Sequence, residues 1–379
     1  MNRVSVRWCG LAALAVSVSA VISWVGPAAG VEVTGAVSHG SQAEPYRYRI
    51  VDLGAVGDDT QAQGETGSPG GLAAGNSYGD GPTRVFSWSS GGGLVGLPSA
   101  PGRPWTKVGG INDAGTVVGT SATTPYGSDP RPMLWQDGVR KRLPLPHGLA
   151  YGRAYDVNDA GVVAGSAGGQ GHVYDVCTLF DGTKTTVIRR TLPDGSYCST
   201  AFAINGAGRV VGSGIDPNNA ARNVAFVIDT ATNKTYTLGG TPGRNGGIAF
   251  GVSEAGQVVG VSMQDQGDGV PFIWTPATGM VEIPLPKGTS GGEARGVNSA
   301  GWVVGYASSA YSVPWVYDGS HTYRLARLLP AGSGWDLSKN TSSAAMSISE
   351  DGVIIGSGVR DGQVRAFAMI PRTRVSGSR

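Results

Sequence analysis

Val297-Asn298-Ser299-Ala300-Gly301-Trp302-Val303-Val304-Gly305 reads as an asparagine-led turn running straight into a branched apolar strand. Nearly the same words return as Ile111-Asn112-Asp113-Ala114-Gly115-Thr116-Val117-Val118-Gly119 and again at 157–165, 204–212, 252–260 and 348–356, with a weaker copy at 69–75. The middle glycines fall at 71, 115, 161, 208, 256, 301 and 352, which makes seven units spaced 44 to 51 residues apart. A period of this length, built of short β-type runs split by turn residues, marks a blade-by-blade array in which no unit buries its apolar faces alone. The fold class is therefore all-β, a seven-bladed β-propeller of four-stranded blades.

Within the sixth unit the pattern predicts a first strand over 294–298, a turn at Ser299-Ala300-Gly301, a second strand over 302–307, a third over 313–317 and a fourth over 322–328. Blades in a ring are covered on both faces, so Val303-Val304 and its counterparts are consecutive apolar residues instead of an alternating pattern. The third strands share aromatics, among them Phe86, Trp135, Phe226, Phe272 and Trp315, which read as packing between blades. Tyr46 to Gly54 is a strand without a blade, and the last unit ends after Arg365 to Ile370 without its fourth strand. The two defects complement each other: the N-terminal strand is expected to pair in the last blade and close the ring without exposed edges.

Residues 1–30 combine a basic start (Arg3, Arg7), an apolar run from Trp8 to Val25 and a small-residue end, the pattern of a secretory signal peptide cleaved between about Ala28 and Ala36. A retained membrane anchor is the alternative, because the run approaches a spanning length. Residues 31–45 read as a flexible lead-in, 46–370 as the propeller and 371–379 as a tail. A formal net charge of +2, two of whose cations lie in the leader, leaves too little positive charge to hold nucleic acid. Beyond the leader only Cys177 and Cys198 remain, and a secreted chain would join them in a disulfide.

Backbone geometry dictates the Asn-Asp-Ala-Gly and Asp-Gly turns on one face of the ring. The opposite face carries loops of varied length and chemistry, where recognition is expected on a rigid scaffold. Its candidate ligand-binding residues are Trp105, Tyr126, Arg131, Tyr151, Arg153, His172, Tyr197, Arg222, Arg244, Asn245, Tyr311 and Trp335. Aromatics among Asp, Asn and Arg suit an extracellular glycan or protein, since rings stack on apolar faces while polar groups fix orientation. The reading is a monomeric binding module with no cofactor and no metal site.

The alternatives are a structural surface protein and a polysaccharide hydrolase or lyase working in the axial funnel, for which Asp156 and Arg295 are the candidates. Glycan hydrolysis needs paired carboxylates, and the inner strands show one, Asp156. Gly75-Asn76-Ser77-Tyr78-Gly79 matches a nucleophile motif but lacks its strand-turn-helix setting. Asp58-Asp59 and Asp265 to Gly269 lack the spacing of a calcium loop.

The unit small-x-x-Ile/Val-Asn-x-x-Gly-x-Val-Val-Gly, followed by Val224-Ala225-Phe226 or Arg365-Ala366-Phe367, resembles the bacterial extracellular repeats called the HAF family. The resemblance runs from about Tyr46 to Ile370. It departs at the histidine that names the family, which is Val224 and Arg365 in those copies. It implies a secreted bacterial protein of repeat architecture and carries no activity over.

Overall fold

The computed structural model describes residues 48–169, 174–189, 191–264 and 269–372. The leader, Tyr46, His172, the 265–268 stretch and the residues after 372 lie outside the described residues. Seven antiparallel sheets form a seven-bladed β-propeller. The innermost strands are Gln61–Gly67, Trp105–Ile111, Tyr151–Val157, Tyr197–Ile204, Gly246–Val252, Gly291–Val297 and Ala344–Ile348, numbered here as blades 1 to 7. Three further strands follow outward in each of blades 1 to 6. In blade 7, Ile354–Arg360 and Gln363–Pro371 come from the C-terminal end, and Tyr48–Asp52 supplies the outermost strand. Its register runs from Tyr48 opposite Pro371 to Asp52 opposite Phe367, so the expected closure is present.

The repeat residues explain themselves in the structure. Each of the seven hydrophobic clusters joins one pair of neighbouring blades, as where Ala203, Val211 and Val227 of blade 4 meet Val258, Phe272 and Trp274 of blade 5. The second-strand glycine sits beneath the third-strand aromatic: a Cβ on Gly212 would fall onto the Thr200 carbonyl oxygen and 2.8 Å from the Phe226 ring. The turn glycines hold positive φ, 76° at Gly115 and 80° at Gly301, which side chains disfavour.

The turn asparagine has two partners. Asn158 Oδ1 accepts the Val162 N–H at 3.0 Å, closing its own turn, while its Nδ2 donates to the Asn205 carbonyl on the next blade at 3.0 Å. Asn112, Asn205 and Asn298 repeat both bonds. Ser68, Ser253 and Ser349 make the local bond through their hydroxyls. One residue type thus sets the turn and spaces the blades.

Blade 6 departs from expectation. Its fourth strand stops at Thr322–Arg324, and Leu325–Leu328 forms a single helical turn that buries Leu325 and Leu328 under blade 7. Two leucines three residues apart reach one face of a helical turn, whereas a strand would place them on opposite faces.

Cys177 of blade 3 and Cys198 of blade 4 form the expected disulfide, with Cα atoms 5.5 Å apart, inside the cluster between those blades. It closes a segment with a sequence separation of 21. Loop-closure entropy for such a segment is worth about 3 kcal/mol. Guanidinium unfolding of a Cys177→Ser, Cys198→Ser protein should show a stability loss of that order, and an unchanged unfolding curve would count against it.

Candidate functional site

All seven inner strands carry a β-bulge at the same place. A bulge leaves one residue unpaired and turns its side chain off the regular alternation. The bulged residues are Glu65, Gly109, Tyr155, Phe202, Phe250, Arg295 and Met346, and together they ring an axial cavity of about 310 Å³. Tyr155 and Phe202 pack edge to face with centroids 5.2 Å apart, Phe202 and Phe250 lie 5.6 Å apart, and the Arg295 guanidinium covers Phe250 at 4.1 Å. Three of the seven bulged residues are therefore aromatic, on consecutive blades. At Gly109 the next blade comes too close for a side chain, since a Cβ there would stand 2.8 Å from Tyr155 Cα.

Three carboxyl groups come from the inner strands, where sequence reading found only Asp156. Glu65 lines the cavity, and Glu293 accepts from Arg295 Nη1 at 3.1 Å. Burial pushes the Glu65 carboxyl up, against the pull of Arg295, a hydrogen bond from Asn76 and Lys107. Asp156 is fully engaged: one oxygen accepts the Val157 N–H and the other the Ile204 N–H of blade 4, each at 2.9 Å. Burial pushes Asp156 up to about 7, opposed by those two N–H bonds and reinforced by Glu254. Its observable role is a tie between blades 3 and 4.

A pH dependence follows from Asp156. Its folded value lies above the ordinary 3.8 of an aspartic acid. Between these values the folded protein holds a proton that the unfolded chain has lost, so stability falls as pH rises through the window. Asp216 and Asp229, held low chiefly by backbone N–H bonds, act only below it. The thermal midpoint should be higher near pH 5 than near pH 8, and Asp156→Asn should flatten that slope even if it lowers the midpoint throughout. A wild-type profile that rises from pH 5 to 8 would contradict this assignment.

The cavity opens toward the face of the Asn-led turns, not toward the varied loops. Its rim holds Asp159, Glu254 and Glu350, all exposed. Each carboxylate sits one blade along from a turn N–H that it accepts: Asp159 from Asp113 at 2.9 Å, Glu254 from Gly206 at 3.0 Å, Glu350 from Ser299 at 3.1 Å. Asp113 does the same for Gly70 at 2.6 Å.

On the varied face the candidates separate. Arg131 is taken up by Asp129 at 2.7 Å and by the Ala150 carbonyl, Arg222 by Asp216 at 2.8 Å and the Asn245 carbonyl at 2.8 Å, and Arg244 by Glu282 at 2.9 Å. These arginines brace loops. Trp335 stacks edge to face on Phe367 at 5.8 Å and belongs to the packing between blades 6 and 7. Trp105 begins the inner strand of blade 2, half-buried. Tyr126 and Tyr311 are exposed, at 95% and 45%, each on its own loop. Ser77 of the nucleophile-like stretch is buried and accepts the Val56 N–H at 2.9 Å. Asp59 is paired with Arg84 at 2.6 Å.

Two candidates do meet, and a third is linked to them through Tyr174, the residue before Asp175. Tyr151 and Arg153 begin the inner strand of blade 3, and Tyr197 begins that of blade 4. Arg153 reaches Asp175 at 3.5 Å, Tyr151 hydrogen-bonds to the same carboxylate, and Tyr174 packs against Tyr197 at 5.6 Å. Tyr197 stays 41% exposed. The disulfide lies directly beneath, one residue beyond Tyr197 and two beyond Asp175.

No family model matches this chain. No curated protein matches it in sequence. Among solved structures it is similar to an oligogalacturonate lyase in complex with manganese (TM-score 0.54, 12% identity, covering 88% of this chain and 95% of that one). It is also similar to the β-propeller domain of the Trilobed protease from Pyrococcus furiosus (TM-score 0.53, 8% identity, 82% and 93% covered). YCF48 bound to D1 peptide is a third neighbour (TM-score 0.51, 11% identity, 86% and 96% covered). At these identities the likeness extends to the propeller fold and no further.

Proposed function

We propose that this protein is a secreted, non-catalytic binding module that recognises an extracellular glycan through the tyrosine platform at the junction of blades 3 and 4. One observation carries the reading: Tyr151 hydrogen-bonds within the Arg153–Asp175 pair, and Tyr197 packs on Tyr174, the neighbour of Asp175, beside the Cys177–Cys198 disulfide. Aromatic rings offer stacking surface to the apolar face of a sugar, a charged pair orients hydroxyl groups, and a cross-linked base lowers the ordering cost of binding. The leader-like segment at 1–30, the disulfide and the resemblance to HAF repeats support secretion.

A glycan array at near-physiological salt tests the reading. Wild type should bind a restricted set of glycans, and Tyr151→Ala, Tyr174→Ala, Tyr197→Ala should lose at least about tenfold in affinity, equivalent to about 1.4 kcal/mol. Tyr126→Ala with Tyr311→Ala should bind as wild type. No glycan binding at all would overturn the carbohydrate class and leave a protein partner.

One observation favours a second reading. Glu65 and Asp156 are two carboxyl groups lining one cavity, both raised by burial, which is the setting of a general acid. Under that reading, Glu65→Gln or Asp156→Asn would abolish turnover of a polysaccharide.

A further inference from the structure

The axial cavity opens at the other end of the inner strands from the tyrosine platform, with Tyr155 of its wall still within reach of the Arg153–Asp175 pair, and its rim is of another chemistry. Asp113, Asp159, Glu254 and Glu350 stand on the turns of blades 2, 3, 5 and 7 around one mouth, and none of them forms an ion pair with a described residue. Elsewhere, acidic residues such as Asp59, Asp129, Asp175 and Asp216 each take an arginine. Tying blades together does not require the charge: Ser299 occupies the same position in blade 6 and accepts the Ala255 N–H through its hydroxyl at 3.2 Å. Four like charges at one opening of a nearly neutral chain make a field that a cation relieves.

The cavity below that mouth supplies an independent indication. Its wall already seats one cation on an aromatic face, the Arg295 guanidinium over Phe250 at 4.1 Å, with that charge balanced by Glu293 at 3.1 Å. The neighbouring rings of Phe202 and Tyr155 line the same space and are half-buried. Aromatic faces beneath a rim of carboxylates attract an organic cation by its charge and hold its apolar stem by contact. Among the described residues no three His, Cys, Asp or Glu side chains converge on a point that could hold a bare metal ion. At about 310 Å³ the cavity admits a single side chain or a small molecule.

We infer that this turn-face cavity is a binding site for an alkylammonium group, the end of a lysine side chain or of a free amine, steered by the rim carboxylates Asp159, Glu254 and Glu350 and seated against Tyr155 and Phe202. The ammonium enters past the rim, and its methylene stem lies along the aromatic wall. This site does not depend on glycan recognition.

Calorimetric titration of the mature protein at low and moderate salt is the test, using n-pentylammonium and Nα-acetyl-lysine N-methylamide as probes and the uncharged Nα-acetyl-norleucine N-methylamide as control. The expected result is saturable one-to-one binding of an ammonium probe, at least tenfold tighter than the norleucine control and weakened by salt. Glu254→Gln with Glu350→Gln keeps an oxygen for each turn N–H and should bind at least tenfold more weakly at an unchanged unfolding midpoint. Phe202→Leu should weaken binding without removing its salt dependence. Tighter binding of the lysine derivative would identify a protein lysine as the ligand, and tighter binding of pentylammonium a free amine. No ammonium binding, equal binding of the norleucine control, or wild-type binding by the double glutamine variant would overturn the inference.

Discussion

Deleting residues 1–53 is expected to abolish cooperative folding of the monomer. That deletion removes the outermost strand of blade 7, with Tyr48 buried in the cluster between blades 6 and 7 and Leu53 in the cluster between blades 7 and 1. It also removes the Leu53 N–H bond to the Ala366 carbonyl at 3.0 Å and the pairing of Asp52 with Arg365 at 3.2 Å. What remains is the bare edge of Gln363–Pro371, a template for association with other chains. Two lost apolar anchors and an open edge represent a large share of a stability of roughly 5–15 kcal/mol. Light scattering and circular dichroism on this deletion, beside a deletion of 1–43 as control, decide it. A monomeric deletion of 1–53 with the control's melting curve would refute closure by that strand.

Gly212→Ala is expected to cost at least about 3 kcal/mol, because the added methyl meets main chain on one side and the Phe226 ring on the other. The Thr200 carbonyl belongs to the inner strand, so yielding would shift the strand that forms the cavity wall. Phe226 in turn is buried in the cluster between blades 3 and 4. Gly81→Ala is the matched control, since nothing lies within 4 Å of a Cβ there. Equal unfolding midpoints for the two variants would contradict this account of the repeat glycine.

Much of the architecture was legible because one unit is written seven times and its two halves at the chain ends are complementary. The site was less legible, although a signal existed. The bulged residue stands ten positions before the second-strand glycine in every unit, Tyr155 before Gly165, Arg295 before Gly305 and Glu65 before Gly75. Glu65 escaped because the first unit replaces the asparagine-led turn with Ser68-Pro69-Gly70-Gly71, so its register was hard to count. The short helix at Leu325–Leu328 escaped because Leu-Ala-Arg-Leu has no length over which a period can declare itself.

Loop composition is ambiguous for a physical reason. An arginine on a varied loop can face a ligand or brace its own backbone, and both roles use the same residue. Arg131, Arg222 and Arg244 brace; Arg153 stands within the tyrosine platform. The turn face was read as framework because Asn, Asp and Gly satisfy turn geometry. Its asparagines do bridge blades, but carboxylates in these turns also surround the mouth of the cavity, a property that appears only when seven turns are brought into a circle.

The central claim is binding without catalysis at the tyrosine platform. Isothermal titration with the strongest glycan ligand, followed by recovery and mass analysis of that ligand, addresses it most directly. The account predicts one-to-one saturation, ligand recovered intact after prolonged incubation, and loss of the heat signal in Tyr151→Ala, Tyr174→Ala, Tyr197→Ala. Cleaved ligand, or undiminished binding by that variant, would contradict it.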